Sequence, residues 1–145
     1  MIIAFFDGLC EPINPGGTAT YGYVIYRDGK SIKKGCREVI SEITTNNIAE
    51  YSAVIRVLEF LNEENVSNEK IVIKGDSQLV VQQMSGNWSV NSPNIYPLYK
   101  KAKELLKELR RKNNSVSFQW IPREENKEAD MLSWVAYKRA SKGKT

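Results

Sequence analysis

No histidine occurs in the 145 residues, which excludes a Ser-His-Asp triad, histidine-ligated zinc and any imidazole general base. Cysteine is nearly absent: Cys10 and Cys36 are too few for a disulfide framework and lack the C-x-x-C spacing of zinc or redox sites. Free thiols in a reducing cytoplasm are therefore expected. No apolar run approaches the roughly 20 residues that cross a bilayer. The opening from Met1 to Phe6 is too short for a secretory core and has no basic segment before it. A cytoplasmic chain without a membrane partner is the expectation. Internal repeats and long low-complexity stretches are also missing, so the fibrous and disordered classes drop out. Whatever chemistry occurs must use carboxylates, hydroxyls or lysines.

With 41% hydrophobic and 26% charged residues, the chain can build a single core, and one domain is expected. The net charge of +4 is unevenly placed. Residues 98 to 112 hold seven Lys/Arg against two Glu, and residues 138 to 145 add four Lys/Arg with no acid, while the remainder carries 10 basic and 15 acidic residues. A basic helix and tail on an acidic body suit a polyanion, because phosphate contacts release condensed counterions. They equally suit a solvated helix face and a frayed terminus.

Ile2 to Phe6, Thr20 to Tyr26 and Ser31 to Ile40 read as strands, the last two joined by the turn Arg27-Asp28-Gly29-Lys30. Between Asn46 and Glu64 apolar residues recur at Ala49, Ala53, Val57, Phe60 and Leu61, a helical period, with Thr44 or Thr45 placed as N-cap. Lys70 to Lys74 alternates as a strand, and Ser77 or Asp76 then caps a short helix through Met84. Gly86 to Pro97 is a loop by composition. Leu98, Ala102, Leu105, Leu106 and Leu109 mark the apolar side of the basic helix. Val116, Phe118 and Trp120 alternate as a half-buried strand, Pro122 to Glu125 is a turn, and Lys127 to Ala140 is a final helix. The order β-β-β-α-β-α-α-β-α implies an α/β fold with a mixed sheet covered by helices.

Four acids stand out. Asp7 is expected where the first strand ends, Asp76 where the fourth ends, Glu50 in the first turns of the long helix and Asp130 near the start of the last. Functional groups in open α/β sheets gather at strand ends and at the helix N-termini facing them. Singly, each acid is also an ordinary turn, cap or dipole residue. Converging, they would repel and raise at least one pKa unless cations neutralise them. Mg²⁺, or Mn²⁺ as an alternative, is the natural occupant: it takes hard oxygen ligands, and two such ions can clamp a phosphoryl displacement, one activating water and one stabilising the leaving 3′ oxygen.

Phe6-Asp7-Gly8 occurs with Asn14-Pro15-Gly16-Gly17. Thr44-Thr45-Asn46-Asn47-Ile48-Ala49-Glu50-Tyr51 follows, then Gly75-Asp76-Ser77-Gln78-Leu79-Val80, then Trp120 through Pro122-Arg123-Glu124-Glu125 to Asp130. Together, and in this order over about residues 1 to 140, these segments resemble the type 1 ribonuclease H family. The resemblance implies the ribonuclease H-like fold, a five-stranded mixed sheet flanked by helices, in a domain of residues 1–140 followed by a basic C-terminal tail at 141–145. It also implies endonucleolytic cleavage of the RNA strand of RNA/DNA hybrids with 5′-phosphate and 3′-hydroxyl ends. Asp7, Glu50, Asp76 and Asp130 fall on the family's metal-binding acids. Asn14, Thr45, Asn46, Asn47, Ser77 and Gln78 match segments that line the minor groove, where an amide can both donate to and accept from a ribose 2′-hydroxyl. Their ordinary roles are capping and the Asn-Pro-Gly turn. Trp88 resembles a tryptophan that lies near the DNA strand; its ordinary role is packing under the following loop.

Two departures from the family pattern matter. Many bacterial members carry a histidine in the loop before the last acid, where this chain has Arg123, Glu124 and Glu125. A slower enzyme, or a substitute in Glu124 or Glu125, is the expectation. Those proteins also carry a basic protrusion after the tryptophan, but Ser89 to Pro97 holds no Lys or Arg. The basic helix and the tail, with Lys142 and Lys144, are then expected to supply phosphate contacts. A monomer acting on RNA/DNA hybrid is the leading reading. Alternatives are a nuclease of the same fold that also cuts double-stranded RNA, a junction resolvase, against which the Asn-Asn and Ser-Gln pairs argue, and a non-catalytic hybrid-binding module.

Overall fold

The computed structural model describes residues 1–143; Lys144 and Thr145, and with them the Lys144 phosphate contact expected from the tail, lie outside the described residues. The element order is β1 (Ile2–Glu11), β2 (Thr18–Arg27), β3 (Lys30–Glu38), α1 (Asn46–Glu63), β4 (Lys70–Gly75), α2 (Gln78–Met84), α3 (Tyr96–Arg111), β5 (Ser115–Trp120), a single 3₁₀ turn at Arg123–Glu125, and α4 (Lys127–Lys142). The strands form one five-stranded sheet in the order β3-β2-β1-β4-β5. The hairpin strands β1, β2 and β3 pair antiparallel, and β4 and β5 add parallel to β1. The mixed sheet expected from the sequence is thus the sheet observed.

Local chemistry explains most boundaries. Asp28 and Gly29 both have positive φ, 50° and 82°, the signature of a two-residue I′ hairpin that matches the right-handed strand twist. Of the two candidate caps for α1, Thr45 is the one used, its hydroxyl accepting from the Ile48 amide at 3.0 Å. Thr44 instead donates to the Gly17 carbonyl at 2.6 Å. For α2 the cap is Ser77, which accepts from Val80 N at 3.3 Å.

The first strand departs from its expected end. Asp7 is not its last residue; β1 runs on to Glu11, because its backbone stays paired with β2 through Glu11↔Thr18. What stops near Asp7 is the other side of the ladder, where pairing with β4 ends at Phe6↔Gly75. The final helix runs to Lys142, two residues past the expected Ala140, and so takes in the first residues of the tail.

Helices cover both faces of the sheet. Directly opposed residues of an antiparallel pair point to one face, so the pairs Asp7↔Gly22 and Gly8↔Tyr21 fix the sides. A Cβ on Gly22 would meet the Ala129 carbonyl of α4 at 2.4 Å, and one on Gly8 would meet the Glu50 amide of α1 at 2.5 Å. The helix α1 therefore lies on one face and α4 on the other. The helix α1 also packs on α3 and is more enveloped than a single apolar stripe requires: Tyr51, Val54 and Leu58 are fully buried beside Ala49, Ala53, Val57 and Leu61. Phe60 is half-buried under the Lys33 ammonium. Among the described residues no helix is long and apolar enough to cross a membrane.

Candidate active site

The end of β4 leaves a gap in the sheet, and the acids meet there. Past Phe6, β1 has no neighbour on the β4 side, so groups from both faces can reach the same space. Asp7 enters from the α4 face. Asp76 follows immediately after the last residue of β4. Glu50, the fifth residue of α1, arrives from the other face because Gly8 has no side chain: the α1 backbone at Ala49 and Glu50 occupies the volume a Cβ would need. Carboxylate oxygens of Asp7, Glu50 and Asp76 lie within 4.8 Å of one another. Asp130, in the first turn of α4, flanks Asp7 and lines the same cleft.

Such crowding perturbs Asp7 and Glu50 in the direction electrostatics requires. Burial pushes the Asp7 carboxyl up to about 8, with the charges of Asp76 and Asp130 acting the same way and the Gly8 amide opposing. Burial, then the charges of Asp7 and Asp76, hold Glu50 well above the ordinary carboxylate range. Only a few donors compensate: Gly8 N donates to Asp7 Oδ1 at 2.9 Å and Asn126 Nδ2 to Asp76 Oδ1 at 3.2 Å. Glu50 Oε2 is buried with no hydrogen-bond partner among the described residues. Three oxygen donors at this spacing, one of them orphaned, fit a hard divalent cation of the Mg²⁺ type, which would relieve the repulsion and satisfy the orphan at once.

The polar residues expected to contact substrate divide into two groups. Asn14 and Asn46 bond reciprocally: Asn14 Nδ2 donates to Asn46 Oδ1 at 2.9 Å and Asn46 N to Asn14 Oδ1 at 3.2 Å. This ties the loop after β1 to the start of α1, and both side chains line the acid cleft. With Thr45 and Asn47 they also line an adjoining groove, to which Gln83, Asn91 and Asn94 contribute as well. Ser77 and Gln78 line neither depression; the Ser77 hydroxyl caps α2 and Gln78 is exposed in its first turn. Trp88 is 48% exposed rather than packed beneath its loop. Glu124 and Glu125 line a separate groove with Phe5, Val24, Tyr26 and Glu128, whereas their neighbour Arg123 lines the acid cleft.

Sequence reasoning overlooked Asn126, Arg123 and the groove residues Asn91 and Asn94. Asn126 is 1% exposed and reads as a helix cap, yet its side chain makes no capping bond; it turns inward to Phe6 O and Asp76. The available signal was position alone, since Arg123 and Asn126 stand in the segment that ends at Asp130.

Acids converging at the parallel-strand ends of a sheet of this topology define a ribonuclease H-like protein. A family described as "Reverse transcriptase-like" matches residues 5–136. LC11-RNase H1, solved in complex with an RNA/DNA hybrid, superposes with a TM-score of 0.86 at 32% identity, covering 97% of this chain and 99% of that one. Ribonuclease HI of Halobacterium salinarum is 35% identical over 130 residues, 90% of this chain and 61% of that protein. The bifunctional protein Rv2228c of Mycobacterium tuberculosis is 35% identical over 121 residues, 83% of this chain. The chain thus spans about a third of the length of the mycobacterial relative, 31%, and 61% of the archaeal one. This chain belongs to the type 1 ribonuclease H family.

Proposed function

We propose that this protein is an endoribonuclease that hydrolyses the RNA strand of RNA/DNA hybrids, leaving 5′-phosphate and 3′-hydroxyl ends, with Asp7, Glu50, Asp76 and Asp130 holding Mg²⁺. The observation that carries the reading is the convergence of Asp7, Glu50 and Asp76 within 4.8 Å, beside a groove lined by the amides of Asn14, Asn46 and Asn47. The hybrid bound by LC11-RNase H1 supports the choice of substrate.

Bound divalent ions, in a two-ion arrangement, would supply a water of lowered pKa as nucleophile and positive charge at the leaving oxygen. The chain supplies the rest. Asn126 orients the Asp76 carboxylate through its amide, and Gly8 lets Glu50 approach the strand end. Arg123, a permanent cation on the cleft wall, faces the place a phosphate must occupy and gives it a charge-assisted partner. The reciprocal Asn14–Asn46 pair presents amides that can test for a ribose 2′-hydroxyl, which distinguishes RNA from DNA. The unit that carries this activity is residues 1–140, acting as a monomer.

Cleavage of one labelled RNA strand, paired with DNA, paired with RNA, or left single, tests the reading directly. Mg²⁺-dependent cutting strongest in the DNA-paired state is expected. Equal cutting of the RNA-paired state would make double-stranded RNA a true substrate, and tight hybrid binding without cutting would make the protein a binding module.

A further inference from the structure

The outer face of α3 carries a feature the acid cleft does not use. Tyr96, Lys100, Lys103 and Lys107 follow one another at steps of four, three and four residues, which keeps them on one side of a helix. The buried side, Ala102, Leu106 and Leu109, is turned the other way, into the core. From Tyr96 to Lys107 the stripe is about 16 Å long at the α-helical rise. The cations beside it are engaged, Lys101 with Glu59 at 3.5 Å and Arg111 with Glu108 at 3.0 Å. Lys100 and Lys107 are exposed and make no ion pair among the described residues.

The aromatic end of the stripe lies beside the groove. Asn94 and Ile95, the two residues before α3, line the groove that also holds Asn14, Thr45 and Asn47. Tyr96 comes next and is 52% exposed, its ring 6.4 Å from that of Tyr99, over which the Lys103 ammonium stands at 6.0 Å. An exposed ring followed by a row of cations is a different surface from a plain phosphate clamp. A duplex keeps its base faces stacked on one another and presents only its backbone and base edges, whereas a single strand offers both a base face to a ring and phosphates to lysines.

We propose that this stripe holds a single-stranded nucleic-acid extension leaving the hybrid, with a base stacked on Tyr96 and phosphates paired to Lys100, Lys103 and Lys107. The proposal rests on the reading of the cleft and groove only for where the strand enters; the contact itself needs no cleavage.

The test is binding in the presence of chelator, so that nothing is cut, of a blunt hybrid, the same hybrid with an oligothymidylate extension, and oligothymidylate alone. The extension is expected to tighten binding about tenfold, from stacking plus charge. The triple variant Lys100→Gln, Lys103→Gln, Lys107→Gln should lose that gain and flatten the salt slope for oligothymidylate by about 2, at about 0.7 per phosphate on a single strand. The matching Lys→Arg triple should keep both. Tyr96→Ala should weaken oligothymidylate binding about fivefold or more, and Tyr96→Phe should not. No gain from the extension in the natural protein would overturn the proposal, and so would equal losses on blunt and extended hybrids, which would make the stripe a duplex contact. Absence of hybrid cleavage with an intact extension-dependent gain would remove the nuclease reading and leave the stripe in place.

Discussion

Asn126 donates its side-chain amide to the Asp76 carboxylate at 3.2 Å and to the Phe6 carbonyl at 2.8 Å. One buried amide thereby ties the start of α4, which carries Asp130, to the middle of β1 next to Asp7 and to Asp76 just past the end of β4. Asn126→Ala leaves a buried carbonyl unpaired, at a cost of about 1–3 kcal/mol, and frees Asp76 to turn. Urea melts should show that loss, and turnover should fall further than the unfolded fraction explains. Full activity in a destabilised but folded variant would reduce Asn126 to a structural residue.

Asp7→Asn should abolish cleavage and stabilise the protein in the absence of metal. The sign follows from the carboxyl being pushed from 3.8 up to about 8 by folding. Between those values the unfolded chain has lost a proton that the folded chain keeps, so metal-free stability falls as pH rises through this window, by up to about 1.4 kcal/mol per pH unit for one proton. Chemical denaturation in chelator at a series of pH values should show this decline for the natural protein and a flatter curve for Asp7→Asn. Added Mg²⁺ should restore stability at the alkaline end in the natural protein alone. A natural protein equally stable across the window would contradict the clustering of the acids.

Gly8→Ala places a methyl 2.5 Å from the Glu50 amide and 2.6 Å from the Ala49 carbonyl carbon, both backbone. Neither can rotate away, so α1 must shift. A loss of about 1–3 kcal/mol is expected, together with a fall in cleavage rate measured well below the melting temperature, because Glu50 moves with its helix. Unchanged kinetics would show that the position of Glu50 tolerates the shift.

Arg123 and its two acidic neighbours separate by the surfaces they line. Arg123→Ala should lower kcat/KM about tenfold or more, the scale of a charge-assisted hydrogen bond, and Arg123→Lys should recover part of it. Glu124→Gln and Glu125→Gln, in a different groove, should each cost less. Steady-state kinetics on one hybrid with all four variants decides the order, and a larger effect at Glu124 or Glu125 would return the role of substitute to an acid.

Much of this was legible from the chain because it is local. Helical recurrence of apolar residues marked α1 and α3, alternation marked β5, and Asp-Gly marked the turn between β2 and β3. Capping narrowed to adjacent pairs, Thr44 or Thr45 and Asp76 or Ser77, because either hydroxyl or carboxylate could accept from the first amides of a helix. Only the path of the loop after β1 settled the first pair, by giving Thr44 another partner in Gly17. The end of β1 misled for a similar reason. A carboxylate followed by glycine is a poor strand sequence, but ten backbone pairings with β2 carry the strand through it.

The sequence by itself determined the element order, the mixed sheet and the identity of the acids, since periodicity, turn chemistry and motif spacing are properties of short segments. Tertiary structure alone decided that Glu50 reaches Asp7 from the opposite face of the sheet, through the gap where β4 stops and past a residue without a side chain. It also decided that Asn126 turns inward instead of capping its helix, and that Arg123, not Glu124 or Glu125, joins the cleft. Those outcomes, and the raised pKa values that follow, depend on which distant surfaces burial brings together, and the free energy of a buried charge is set by neighbours far away in the chain.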